Sequence, residues 1–423
     1  MKIGLQTWGS HGDIRPFMAL AAGLQAAGHD ATLVATCVDS GRYSRLLSGT
    51  SFDFKVVATP VIPDRRSLEK IGSAIIRERN AVKQTQMVIE QMVLPAESEM
   101  FEASLQLCAE NDLVVGHYFL HTLGAAADHY ARPHVSIALA DGAVPSAFQP
   151  PSGVPQLGTA GNRIAWRLAR FVGNRQIKKY SDRLRVKNGI KKARDLFDNV
   201  WGSEYLTLLA VSPTLCRRQP DWPGRYQICG FLDTSGSVAE SAVGEDLQAF
   251  LAEGTPPAYM TFGSVMSGSD EKETIAMFTN AAQAATVRAI IQAPHWRDLG
   301  FESSRTIHYV DAVPHSTVFP CCSLILHHGG AGTSQSALRA GKPSVVVAHT
   351  AEQELWGREL ERVGVAPQLI RRTRATADRI TGAIKHVVCS DRIAGNARKL
   401  GAAMSKEDGV ATAIKLICDR FET

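Results

Sequence analysis

Apolar and polar positions along this chain follow two periods. Short, nearly continuous apolar runs recur at residues 2–7, 31–35, 52–57, 113–116, 135–139 and 207–211. Runs of that length read as strands buried on both faces. Helical spacing fills the intervals. After a turn at 8–13, Phe17, Leu20, Ala21 and Leu24 share one face, with Pro16 placed to open the helix and Gly28 to end it. A long helical region is expected over 68–110, with breaks near Gly72 and Pro95. Residues 213–244, rich in Pro, Gly and Ser, read as a connection with Gly230-Phe231 as its hinge. The alternation then restarts, with strands at 258–262, 288–292, 306–310, 323–326 and 344–347. Helices are expected at 271–285, 333–339 and 352–362, and a final helical region at 378–421. Strand–helix–strand order predicts parallel, doubly wound sheets, hence an α/β fold of two Rossmann-like domains, 1–232 and 233–423.

Length agrees, since 423 residues exceed one ordinary core. The 45% hydrophobic and 21% charged content is that of a globular protein. No apolar run approaches the ~20 residues of a membrane span, and no signal-peptide segment follows Met1. Eight cysteines are scattered without CxxC spacing, so neither a zinc site nor a disulfide framework is indicated. A cytoplasmic protein, monomeric or dimeric, is the expectation.

The net charge of +5 does not by itself argue for nucleic acid, but its distribution is uneven. Residues 163–194 hold twelve Lys or Arg and one acid, Asp182. Interleaved Ile164, Trp166, Leu168, Phe171, Val172 and Ile177 make part of this segment amphipathic. It reads either as a solvated basic face or as a helix that meets anionic lipid at a membrane periphery. Aromatic residues are too sparse there for nucleic-acid binding.

The chemistry concentrates in His327-His328-Gly329-Gly330-Ala331-Gly332-Thr333, between the apolar run 323–326 and a short helix. Glycines and a hydroxyl at a helix N-terminus suit an anion, because free N–H groups and the positive end of the helix dipole converge there. Glycine also admits a bulky group close to the backbone. Two histidines at the strand end can donate to phosphate oxygens. The stretch therefore reads as a diphosphate site, with a turn that binds nothing as the alternative.

These residues, with Ala340-Gly341-Lys342-Pro343, Glu352-Gln353 and Trp356, resemble the C-terminal signature of nucleotide-sugar-dependent glycosyltransferases of the GT-B fold. The stretch Gly9-Ser10-His11-Gly12-Asp13-Ile14-Arg15-Pro16 resembles the opening motif of the branch holding the antibiotic, sterol and rhamnosyl enzymes. The resemblance is weak over 60–220, where that family recognises acceptors. It implies two Rossmann-like domains facing across a cleft, with the last helix returning to the first domain.

The resemblance also implies roles. Asp13 would be the base that deprotonates an acceptor hydroxyl, although a helix cap is its competing use. His117 stands where relatives carry an orienting Asp, and either it or His11 would assist Asp13. His327, His328, Gly329, Gly330, Ala331, Gly332 and Thr333 would receive the diphosphate, with Gly263 and Ser264 adding donors and Ser10 and Gly12 lining the donor side. Trp296 and Val313 would hold the base, though Trp296 equally fits a core. Glu352 and Gln353 would grip sugar hydroxyls. With no Asp-x-Asp motif, no metal and no resident cofactor are expected. The reading is an inverting hexosyltransferase using a UDP- or dTDP-sugar, acting on a lipophilic hydroxylated acceptor such as a sterol, polyketide or hydroxy-lipid. Met87, Met92 and Phe119 are candidate acceptor contacts. A sugar-nucleotide epimerase and a non-catalytic helper are the alternatives.

Overall fold

The computed structural model describes residues 1–38, 49–233, 243–263 and 269–422. Two parallel sheets organise it. The first contains β1 (Lys2–Gly9), β2 (Asp30–Cys37), β3 (Asp53–Val56), β4 (Leu113–His117), β5 (His134–Ala138), β6 (Leu206–Leu209) and β7 (Tyr226–Ile228), in the order β3-β2-β1-β4-β5-β6-β7. The second contains β8 (Ala258–Met260), β9 (Ala289–Gln292), β10 (Ile307–Val310), β11 (Leu324–His327), β12 (Ser344–Ala348) and β13 (Ile370–Arg371), in the order β10-β9-β8-β11-β12-β13. Every adjacent pair in both sheets is parallel. Central strands β1, β4, β8 and β11 are almost wholly buried. That is why they read as unbroken apolar runs rather than as alternation.

The chain divides into two compact units: residues 1–64, 78–238 and 408–423 form one, and residues 65–77 and 239–407 the other. Two segments therefore leave the half in which the sequence order places them. The helix Arg65–Arg77 is counted with the second unit, and the terminal helix Gly409–Phe421 with the first. Ala413 and Ile417 of the terminal helix are fully buried, and Cys418 Sγ lies 3.4 Å from His29 Nε2. Glu422 approaches the other nitrogen of the same ring, His29 Nδ1, at 3.7 Å. His29, Cys418 and Glu422 are metal-capable residue types within 4.8 Å, but the thiol and carboxylate meet opposite ring nitrogens, a packing arrangement rather than a chelate.

Several local expectations differ from the structure. Pro16 lies inside the helix His11–Ala26 and not at its opening, because Ser10 and Asp13 start the helix five residues earlier. The carbonyl of Gly12, whose bond the proline removes, belongs to an exposed residue and can be hydrated. Gly72 does not break its helix. The break falls at Asn80, whose side chain accepts from Val82 and Lys83 N–H and starts the next helix. At Pro95 the winding passes through a π turn and a 3₁₀ turn before Glu97–Glu110. The expected connection hides β7, a three-residue strand too short to show a period.

Candidate active site

Asp13 sits in the first turn of the helix His11–Ala26, directly after β1. Its two carboxylate oxygens have different surroundings. Oδ2 accepts from Ser10 N and Ser10 Oγ, both at 2.8 Å, which closes the helix entry. Gly9 allows this: its φ is +132°, and a Cβ there would stand 2.4 Å from Asp13 Oδ2. Oδ1 faces His117 Nε2 at 3.6 Å, an ion-pair rather than a hydrogen-bond separation. His117, at the end of β4, accepts the Phe119 N–H at Nδ1. In the neutral ring the proton is therefore on Nε2, aimed at Asp13. Burial pushes the Asp13 carboxyl up, but His117 and the two Ser10 donors outweigh it and hold it below the usual aspartate value. The cap and the base were competing readings of Asp13, and the geometry lets one carboxylate serve both, one oxygen each.

Ser10 donates to Asp13 from both its N–H and its hydroxyl. His11 is the first helical residue and half-buried, and Gly12 is exposed beside it.

Aromatic rings continue outward from His117. Its ring lies 4.9 Å from Tyr118, Trp8 and Phe119 stack at 5.8 Å, and Phe119 and Trp201 stack at 6.1 Å. Trp8 Nε1 donates to the Met92 carbonyl, which joins one of the expected apolar candidates to this group. Met87 is half-buried on the neighbouring helix. Trp201, contributed by a one-turn π segment distant in sequence, was not foreseen. The run His-Tyr-Phe at the end of a buried strand was the available signal.

The second constellation lies in the other unit, at the carboxyl ends of adjacent strands β8, β11, β12 and β13. The helix after β11 begins at Ala331, two residues earlier than expected, with Gly330 as its N-cap and no side chain capping it. The N–H groups of Ala331, Gly332 and Thr333 form its first turn, ahead of the first i→i−4 bond from Ser334 N to Gly330 O. Gly329 has φ +86°, and a Cβ there would stand 2.8 Å from the Gln353 carbonyl. At Gly330 a Cβ would meet His328 Nε2 at 2.4 Å, and at Gly263 it would meet the same ring at 2.9 Å. The His328 imidazole is therefore enclosed by two glycines. Ser264 lies outside the described residues.

Three histidines here, His327 and His349 buried and His328 half-buried, have unpartnered ring nitrogens. His327 accepts the Gly329 N–H at Nδ1, leaving Nε2 without a partner. His328 Nδ1 and both nitrogens of His349 are likewise unpartnered. Burial drives His327 down to about 3 and His328 to about 4, and it holds His349 well below the ordinary histidine value. All three are neutral near pH 7. His349 packs edge-on to Phe262 at 4.5 Å, and the Arg372 guanidinium stands 5.6 Å from the same phenyl ring. A neutral imidazole pays no charge-burial penalty yet can donate a hydrogen bond to an anion, so this arrangement suits an incoming phosphate. His349 and Arg372 were missed as site residues. His349 follows β12, so its place at a strand's carboxyl end was a usable signal, whereas Arg372 follows a two-residue strand with no detectable period.

Other expected contacts are engaged within the protein. Gln353 Oε1 accepts from His349 N at 2.8 Å and Thr350 N at 3.3 Å, capping the helix Ala351–Arg362. Its amide NH₂ is then the end available to a sugar, with exposed Glu352 beside it. Trp296 stacks on Tyr309 at 5.5 Å, donates from Nε1 to Asp311, and has the Arg297 guanidinium 4.2 Å from its ring centroid. Val313 is half-buried against the core beneath β10.

Comparison with known proteins places this geometry. Residues 284–415 match the family model described as the erythromycin biosynthesis protein CIII-like C-terminal domain. The sterol 3-beta-glucosyltransferase UGT80A2 of Arabidopsis thaliana is 29% identical over 98% of this chain, which spans 65% of the plant protein's length. The O-mycaminosyltylonolide 6-deoxyallosyltransferase of Streptomyces fradiae is 27% identical over 100% of this chain and 98% of its own. The solved structure of the glycosyltransferase VinC in complex with dTDP superposes with a TM-score of 0.67 at 17% identity, covering 100% of both chains, and establishes the GT-B fold. Along its whole length the chain is similar to these sterol and tylonolide glycosyltransferases, and its fold is GT-B.

Proposed function

We propose that this protein is an inverting hexosyltransferase that moves a sugar from a UDP- or dTDP-sugar to a hydroxyl of a lipophilic small molecule. The observation that carries the reading is the divided Asp13 carboxylate, with one oxygen holding the helix entry and the other facing the His117 Nε2 proton. Asp13 Oδ1 takes the acceptor's proton as its oxygen bonds to the anomeric carbon and the carbon–phosphate oxygen bond breaks. His117 keeps that oxygen in position, and the 3.6 Å gap tightens as charge shifts, as catalytic contacts in unliganded proteins commonly do. The electron pair leaves on the diphosphate, which is received by the N–H groups of Ala331, Gly332 and Thr333 and by the neutral imidazoles of His328 and His349. These donors make a resident metal unnecessary. One displacement with no covalent intermediate inverts the anomeric centre. The rings of Trp8, Tyr118, Phe119 and Trp201 beside Asp13 favour a flat, apolar acceptor. A bound dTDP in a solved relative of the same fold, and the names of the sterol and tylonolide relatives, support the donor and acceptor classes.

The test is incubation with labelled UDP- and dTDP-sugars and a panel of sterols, polyketides and hydroxylated fatty acyl compounds, read by mass shift and by the product's anomeric coupling. Asp13→Asn keeps an acceptor atom for the cap and should lower turnover about 10²–10⁴-fold with nucleotide affinity retained. Unchanged turnover would remove Asp13 as the base. Epimerised donor without transfer would favour the epimerase reading, and no turnover or binding of any donor the helper reading.

A further inference from the structure

The helix Gly158–Gln176 has two apolar faces, and the fold uses one. Trp166, Asn162 and Gly173 point inward: Trp166 packs edge-on to Phe197 at 5.5 Å, its Nε1 donates to the Gln149 carbonyl, and all three are buried. On the opposite side, Ile164, Leu168 and Phe171 follow one another at spacings of four and three, with Leu157 one heptad before Ile164. They are 66%, 62% and 65% exposed, the three highest values among the large hydrophobic side chains described, and Leu157 is 55% exposed. Residues 164, 168 and 171 fall within a narrow arc of an ideal helix, so these side chains form one continuous stripe. Isolated exposed apolar residues need no explanation, but a stripe along one helix marks an interaction surface.

The charge around the stripe selects the partner. The helix carries no acidic residue, and Arg163, Arg167 and Arg175 are exposed. Among the described residues none of these three makes an ion pair. Beyond the helix, Lys191 and Lys192 are also exposed. Arg170 is the exception and is spent inward, on Asp195 and Asp198. A second copy of this chain would set this cationic rim against itself, whereas an anionic bilayer takes apolar side chains below its headgroups and arginines at their level. No helix among the described residues is long and apolar enough to span a membrane, so the contact is interfacial. We propose that the stripe Leu157, Ile164, Leu168 and Phe171, rimmed by Arg163, Arg167 and Arg175, seats the protein on the surface of a membrane containing anionic phospholipid. For an enzyme with a lipophilic acceptor, that places the catalyst at the phase where such acceptors dissolve, but the seating does not depend on turnover.

Flotation of the full-length protein with vesicles tests this, comparing phosphatidylcholine alone with phosphatidylcholine–phosphatidylserine mixtures. Binding should require phosphatidylserine and weaken as salt is raised. The triple variant I164S/L168S/F171S should partition roughly tenfold or more weakly, with unchanged circular dichroism and thermal midpoint, because these side chains contribute nothing to the core. R163Q/R167Q should weaken binding and flatten its salt dependence while the protein remains folded. Equal flotation of parent and triple variant would overturn the proposal, as would no flotation at low salt. A dimer in size-exclusion chromatography that the triple variant dissolves, without vesicle binding, would overturn it in favour of a self-association surface.

Discussion

At the scale of single residues the most informative pair is Asp13 and His117. The Phe119 N–H fixes the imidazole so that its proton faces the carboxylate, and that contact is one of the forces keeping Asp13 ionised despite its burial. Removing the imidazole leaves burial less opposed, so the Asp13 carboxyl should become easier to protonate. In His117→Asn the acid limb of the kcat/KM profile should accordingly move to higher pH. A residue that merely lined the acceptor site would raise KM for the acceptor and leave that limb in place, so the pH profile separates the two roles.

At the scale of elements, the helix Ala331–Arg339 separates stability from binding. Gly332 lies in its first turn, and a Cβ there would meet nothing within 4 Å. Gly332→Ala should therefore keep or slightly raise the thermal midpoint, since alanine favours a helix by up to about 1 kcal/mol over glycine. A methyl group placed among the first-turn N–H groups crowds any diphosphate drawn to them. Calorimetric titration with UDP and dTDP should show affinity reduced by tenfold or so. Undiminished affinity would move the diphosphate elsewhere. The same element shows how far periodicity reaches. Strand β11, its glycine turn and the following helix could be read from residues 323–339 alone, because burial on both faces and a glycine-rich junction each leave a local mark. The start of the helix at Ala331, however, was decided by Gly330 taking an extended conformation against the His328 ring.

At the scale of the whole molecule, the buried histidines link acid stability to the site. His327 is 0% exposed and titrates at about 3, against the ordinary value near 6.5 of an unfolded chain. Between those values the unfolded state binds the extra proton, so folding loses stability as pH falls from about 6.5 towards 3, and the loss levels off below that. From pH 7 to pH 5 this one residue should remove about 2 kcal/mol. His327→Asn retains an acceptor for the Gly329 N–H and removes the titration. Urea midpoints measured at both pH values should fall less in the variant than in the parent, and parallel falls would show that other groups govern acid unfolding.

The order of the longer strands and helices, the α/β class and the glycine-rich turn after β11 were determined by local sequence. Each depends on neighbours within about ten positions: apolar runs for buried strands, helical spacing for helices, glycines where backbone must lie close to another group. Tertiary structure alone decided which distant groups meet. It brought His117 to Asp13 across more than a hundred residues, set Trp201 against Phe119, joined the terminal helix to the first unit, and gathered His349 and Arg372 beside Phe262. It also gave both oxygens of Asp13 work and committed Gln353 Oε1 to a cap. Such partnerships are set by sheet order and packing, which place residues by distance in space, and no periodicity along the chain encodes that distance.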